Sequence, residues 1–252
     1  MNKPKLSFWQ IWNLSFGFLG VQIGYSLQNS NTSSIFESLG ADVSHLSYFW
    51  LAAPLAGMII QPIIGLFSDG TWTRLGRRIP YILGGSIVSA LALASCPTAR
   101  GCWLSPLWPW EPSSCSSWIS RSMSRCNLPG LVADMLDDRQ KTQGYVVQTF
   151  LINLGAVIGA ILPLIMTQLG VSDEAEPGSV PEHIAYSYYI GGAILLLTVL
   201  VTSFKTREYP PEEFARYNDL KPEPEGPRPG FMTLMRNIPQ AMVRLGVTQF
   251  FS

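Results

Sequence analysis

Charge is absent from five long stretches of this chain: between Lys5 and Glu37, Asp42 and Asp69, Arg78 and Arg100, Lys141 and Asp173, and Glu182 and Lys205. A helix crossing about 30 Å of hydrocarbon needs roughly 20 predominantly apolar residues, and each gap supplies that length. The gaps read as helices near 9–36, 45–68, 79–98, 143–169 and 184–204. Composition agrees, since only 13% of the 252 residues are charged and 47% are hydrophobic, against about a quarter charged in an average soluble domain. The first span is the polar one, carrying Gln10, Asn13, Gln22, Gln28, Asn29 and Asn31. Such polarity is tolerated where one face lines a bundle interior or a water-filled cavity. A signal peptide is the poorer reading, because the apolar region is too long and too polar and no small-residue cleavage site follows it.

Several function classes fall away. Lys+Arg and Asp+Glu both number 17, so the chain has no electrostatic footprint for nucleic acid. Two His and four Cys without CxxC or HExxH spacing argue against a structural zinc or redox site. No Gly-rich phosphate loop, GxSxG elbow or metal cluster supports an enzyme, and no cofactor is expected.

The cations set an orientation. Of 17 Lys/Arg, 14 fall in four stretches: Lys3 and Lys5; Arg74, Arg77 and Arg78; Arg139 and Lys141; and the seven from Lys205 to Arg244. The stretches 37–44 and 170–183 hold acids and neither Lys nor Arg. The positive-inside rule therefore places the N-terminus in the cytoplasm and those two stretches outside. For the signs to alternate, one further crossing must lie near 100–125, ahead of Arg139 and Lys141.

The printed residues there do not read as a membrane helix. Window 95–130 holds all four cysteines, four of the eight tryptophans and the run Trp108-Pro109-Trp110-Glu111-Pro112, whose prolines break a helix. Cys, Trp and most Ser codons begin with T, and reading one base earlier moves that T to the second codon position, where it specifies an apolar residue. The shifted frame yields an apolar string from Gly101 to Trp118 and an Asp across Trp118 and Ile119. A frameshift is preferred over a Cys/Trp-rich external loop or an irregular span, because it supplies the crossing that charge topology demands. On this reading the cysteines carry no disulfide or metal role. The expected fold is an all-α, six-transmembrane-helix bundle whose fourth helix the frameshift disrupts. It occupies residues 1–204, followed by a cytoplasmic linker at 205–244 rich in Pro and charge. Residues 245–252 begin a seventh apolar segment, as expected of a truncated half.

Gln61-Pro62-Ile63-Ile64-Gly65-Leu66-Phe67-Ser68-Asp69, followed by Arg74-Leu75-Gly76-Arg77-Arg78, joins the second and third spans on the cytoplasmic side. This signature resembles the major facilitator superfamily loop, and its Gln-Pro form resembles the sucrose/maltose-type sugar–proton symporters. The resemblance extends to Pro4–Trp9, Gly17–Gln22, Val132-Ala133-Asp134-Met135-Leu136 and Thr142-Gln143-Gly144. It implies the N-terminal half of a twelve-helix carrier that works by alternating access around a central sugar site. The partners implied are a glucoside such as maltose or sucrose, a co-transported proton, the lipid bilayer and a second six-helix half. A sodium-coupled melibiose-type permease is the neighbouring alternative, and a non-transporting membrane fragment of a damaged gene is the alternative of another class.

Physical reasoning gives the loop a role of its own. Asp69 can meet cations or a helix N-terminus, where partly buried charge is stabilised by up to about 2 kcal/mol. Arg77 and Arg78 anchor the third span at the headgroups. Gly65, Asp69, Arg74, Gly76, Arg77 and Arg78 are thus expected to form a conformational latch. Topology setting alone is the plainer role for these charges. The resemblance has a basic residue where Gly70 stands and a third Arg where Ile79 stands, departures that weaken the expected latch. Gln22, Gln28, Asn29, Gln61, Gln148 and Asn153 are amides within apolar spans, suited either to sugar hydroxyls or to interhelical bonds. Gln148 and Asn153 lie about 500° apart around a helix, so at most one is expected to point inward. No Asp or Glu stands inside the five readable spans, and the Asp of the shifted frame is the candidate proton relay.

Overall fold

A computed structural model describes residues 3–38, 68, 72–73, 75–95, 97, 130–172, 180–206, 208–210, 213 and 216–217. The chain divides into two compact units, Met1–Pro210 and Pro211–Ser252. The second is described only at 213 and 216–217, all helical. The first contains α1 (Phe8–Ser15), α2 (Gly17–Ser38), α3 (Ile79–Ser95), α4 (Lys141–Gln168) and α5 (Glu182–Lys205). A further helical stretch covers 130–135. Among the described residues there is no strand, only an isolated bridge between Thr73 and Gly76.

α4 and α5 are long and apolar enough to cross a membrane, and α3 is a shorter apolar helix. The first span differs from expectation, being two helices rather than one. At Phe16 the α-helical ladder is interrupted, and the N–H groups of Phe16 and Leu19 bond three residues back, at 3.4 and 3.2 Å. The Asn13 carbonyl at this break accepts the Thr202 hydroxyl of α5 at 3.0 Å. A donor from a distant helix thus reinforces the long Phe16 bond on the same carbonyl, which is how membrane helices accommodate a local break.

Small residues let these helices approach. A Cβ on Gly155 of α4 would lie 2.5 Å from the Leu19 carbonyl oxygen of α2, and one on Gly159 would lie 2.7 Å from the Ile23 carbonyl oxygen. Four residues along α4 match four along α2, so the two run parallel. Gly20 of α2 abuts Leu195 and Thr198 of α5, whereas Gly191 abuts Leu27, so α5 runs antiparallel to α2. Backbone approach at small residues is the usual basis of helix association where lipid offers no hydrophobic drive between helices.

Two apolar clusters mark the ends of the bundle. One gathers Ile11, Leu14, Ile79, Ile82, Leu131 and Val199. The other gathers Ile23, Leu27, Leu93, Leu162, Tyr188 and Leu195. α3 therefore starts beside the beginning of α1 and finishes beside the middle of α2. Its 17 residues extend about 25 Å at 1.5 Å per residue. Gly130 lies against the Arg78 guanidinium at the start of α3, so Ser95 and Gly130 stand at opposite ends of the bundle. The expected fourth crossing and its shifted window lie, apart from residues 95, 97 and 130, outside the described residues.

The outward faces are as apolar as the inward ones. Val146, Phe150, Val157, Ile161 and Leu164 are exposed on α4, and Leu197 and Phe204 on α5. Helices hydrophobic all round are those of a membrane or of a large core. The buried hydroxyls of Ser89, Ser187 and Thr198 donate to carbonyls of their own helices, at 2.8, 2.6 and 2.9 Å. These three hydroxyls are thereby satisfied without water.

Candidate functional site

The turn ahead of α3 builds the site. Thr73 and Gly76 exchange backbone hydrogen bonds at 3.1 and 3.0 Å, and the Thr73 hydroxyl donates to the Gly76 carbonyl at 2.8 Å. Gly76 closes the turn at φ +116, a left-handed conformation that a side chain disfavours. The N–H groups of Arg77, Arg78 and Ile79 then project together at the start of α3.

The Glu208 carboxylate receives all three. Its Oε2 accepts from Arg77 N–H at 2.6 Å, and its Oε1 accepts from Arg78 and Ile79 at 2.9 and 3.0 Å. The first N–H groups of a helix have no intrahelical partner, and an anion there also meets the positive end of the helix dipole. Glu208 stands three residues beyond α5, so the end of α5 is fastened to the start of α3.

The arginine side chains turn to a second carboxylate. Asp134 Oδ2 pairs with the Arg77 guanidinium and with Arg78 Nε, the latter at 2.7 Å. The three side chains are only 11%, 15% and 25% exposed for Arg77, Arg78 and Asp134, so solvent screens these bonds incompletely. Charge-assisted bonds of this kind are roughly twice as strong as neutral ones. Arg77 also lies over the Trp72 ring, 6.0 Å from its centroid, at the edge of cation–π range.

Of the six residues expected in the latch, Gly76, Arg77 and Arg78 are described and converge here. Gly65, Asp69 and Arg74 lie outside the described residues, as does Gly70. Ile79 is buried at 1% exposure in the apolar cluster and contributes its backbone N–H to Glu208. Sequence reasoning assigned no role to Asp134 or Glu208. The available signal was electrical: Arg77 and Arg78 at one helix start need acids at the same depth, and Asp134 and Glu208 both lie near cation-bearing ends of spans.

The cavity amides separate by helix face. Gln28 and Gln148 are buried, while Asn29 and Asn153 are exposed. Asn153 donates to the Thr149 carbonyl of its own helix at 2.8 Å. Gln148 Oε1 is enclosed and accepts no hydrogen bond from the described residues. Gln22 faces α4 at Gly155. Gln61 lies outside the described residues.

Comparison with known families gives an independent observation. Residues 35–248 match the family model described as MFS/sugar transport protein. This chain belongs to that family. Members of the MFS/sugar transport family are multi-pass membrane transport proteins rather than enzymes. Among curated relatives, sucrose transport protein SUT1 of Oryza sativa subsp. japonica is 43% identical over 74 residues, covering 29% of this chain and 14% of that protein. Sucrose transport protein SUT3 of Oryza sativa subsp. indica is 42% identical over 74 residues, covering 29% and 15%. Sucrose transport protein SUC3 of Arabidopsis thaliana is 38% identical over 74 residues, covering 29% and 12%.

Proposed function

We propose that this member of the MFS/sugar transport family is the N-terminal six-helix half of a sugar–proton symporter of the cytoplasmic membrane, with its N-terminus in the cytoplasm. The substrate is a glucoside such as maltose or sucrose, moved by alternating access. The observation that carries this reading is the Arg77/Arg78–Asp134–Glu208 network. It ties the start of α3, the stretch 130–135 and the end of α5 together at the cation-bearing end of the bundle. Its surroundings suit a latch: a few kcal/mol separates two carrier states, and incompletely screened charge pairs have that size.

In this reading Gln22, Gln28 and Gln148 offer amide donors and acceptors to sugar hydroxyls. The Asp of the shifted frame relays the proton, and residues 205–244 link the two halves. Substrate sites of such carriers form between two repeats near the midplane, so one half alone has a half-built cavity.

The experiment restores the alternative frame across codons 95–130 and co-expresses the result with the C-terminal half of a plant sucrose carrier in cells lacking sugar uptake. Accumulation of labelled sucrose or maltose that collapses with a protonophore is expected. Accumulation driven by sodium instead points to the melibiose-type alternative. Failure of both when both halves insert overturns the reading. Proteoliposomes holding only the 252 residues should not take up sugar, and uptake by them would refute the need for a second half.

A further inference from the structure

The Gln140 amide closes a two-point clamp on the main chain of Leu6. The Leu6 N–H donates to Gln140 Oε1 at 2.9 Å, and Gln140 Nε2 donates to the Leu6 carbonyl at 2.9 Å. One donor and one acceptor on the same residue fix which way round the amide lies. The clamp joins residues 134 apart in sequence and does for Leu6 what a neighbouring strand would do.

What the clamp holds leads to the latch. Three residues before Leu6, Lys3 Nζ donates to the main-chain carbonyl of Asp134 at 2.8 Å, and the carboxylate of the same Asp134 takes both arginines. The Leu6 side chain packs against the cluster that contains Leu131, Val132 and Met135, the turn of helix carrying Asp134. On the other side of Leu6, α1 continues to its break at Phe16, where Thr202 holds the Asn13 carbonyl. Residues 3–15 are thus fastened at both ends, with the Gln140 clamp between Lys3 and α1. Lys3 is partly buried, and that burial pushes its ammonium pKa below the ordinary lysine value, outweighing the opposing attraction of Asp134.

We infer that Gln140 is a positioning residue of the latch: its grip on Leu6 keeps Lys3 at Asp134, and so keeps the Asp134 carboxylate within reach of Arg77 and Arg78. The inference rests on the latch reading given above. Release of the arginines and movement of the α1 foot are then one event, which carries the state of the helix ends into the first span.

The test is hydrogen exchange read by mass spectrometry on the 252-residue chain in lipid nanodiscs. Gln140→Ala is expected to raise exchange at Leu6 by about tenfold, the order of one lost hydrogen bond. It is also expected to raise exchange severalfold at the Arg78 and Ile79 amides, which Glu208 holds. Gln140→Glu keeps an acceptor for the Leu6 N–H and should restore most of the protection at both places. Unchanged exchange at Leu6 overturns the clamp. Faster exchange at Leu6 with Arg78 and Ile79 unchanged reduces Gln140 to a tie and overturns the inference. Peptides within 151–162 and 188–199 report whether the bundle survives; if Gln140→Ala loses them, Gln140→Glu decides by the same two readings. Glu208→Ala is the reference: if it fails to free Arg78 and Ile79, the latch reading itself falls, separately from Gln140.

Discussion

Gly76 and Glu208 occupy adjoining space so closely that a Cβ on residue 76 would lie 2.7 Å from the Glu208 carboxyl carbon. The same glycine holds φ at +116. Turn geometry and room for the carboxylate therefore both require glycine here, and the cap on α3 depends on it. Gly76→Ala is expected to cost about 1–2 kcal/mol, from left-handed strain and a displaced cap. Thermal unfolding in detergent checks the cost, and an unchanged midpoint would count against the cap.

Glu208→Gln separates charge from shape. The shape is kept and one oxygen still accepts, but the negative charge at the dipole is gone and the NH2 that replaces the other oxygen cannot accept from the N–H it faces. A loss of about 0.5–1 kcal/mol is expected at low salt, shrinking at high salt. Melting curves at two ionic strengths measure it. A loss equal at both would assign the effect to packing.

Arg78 donates to Asp134 through Nε while its own N–H meets Glu208. A lysine supplies charge without that planar fork. Arg78→Lys should therefore fall well short of the native residue, and Arg78→Ala should cost about 1.5–3 kcal/mol. Full stability in Arg78→Lys, measured by denaturation, would show that charge alone suffices.

Glycines of the membrane helices divide by what stands next to them. A Cβ on Gly155 meets a backbone carbonyl at 2.5 Å, whereas one on Gly84 meets nothing within 4 Å. Gly155→Ala should destabilise the bundle by about 1–3 kcal/mol, because backbone cannot step aside as a side-chain tip can. Gly84→Ala should be neutral or stabilise by up to about 1 kcal/mol through helix propensity. The order of the two unfolding midpoints is the check.

Asp138 hydrogen-bonds Lys141 across 2.6 Å, and that bond holds its carboxyl below the usual aspartate pKa. A depressed folded-state value means the pair's contribution is present above the unfolded pKa and is lost as pH falls through the folded one. The carboxyl is fully exposed, so the effect belongs in its titration rather than in global stability. Carbon-detected NMR should find Asp138 titrating below a free aspartate, and Lys141→Ala should bring it back up.

Much of the bundle was legible because its signal is local. The spans read at 143–169 and 184–204 fall within two residues of α4 and α5 at each end, since a bilayer tolerates few charges over a fixed length. The face of an amide was partly legible too: helical rotation alone separates Gln148 from Asn153. The acids that meet Arg77 and Arg78 were not legible, because Asp134 and Glu208 stand 56 and 130 residues from Arg78 and no spacing rule links them. The break at Phe16 was hidden for the same reason, its partner Thr202 lying 189 residues away.

Glu208 reaches Ile79 across 129 residues of chain. A ribosome working from the N-terminus delivers α3 long before it delivers that carboxylate, so the helix enters its membrane with the leading amides still seeking a partner. Glu208 can cap them only once α5 has been translated, which makes this fastening a late step in joining these two helices.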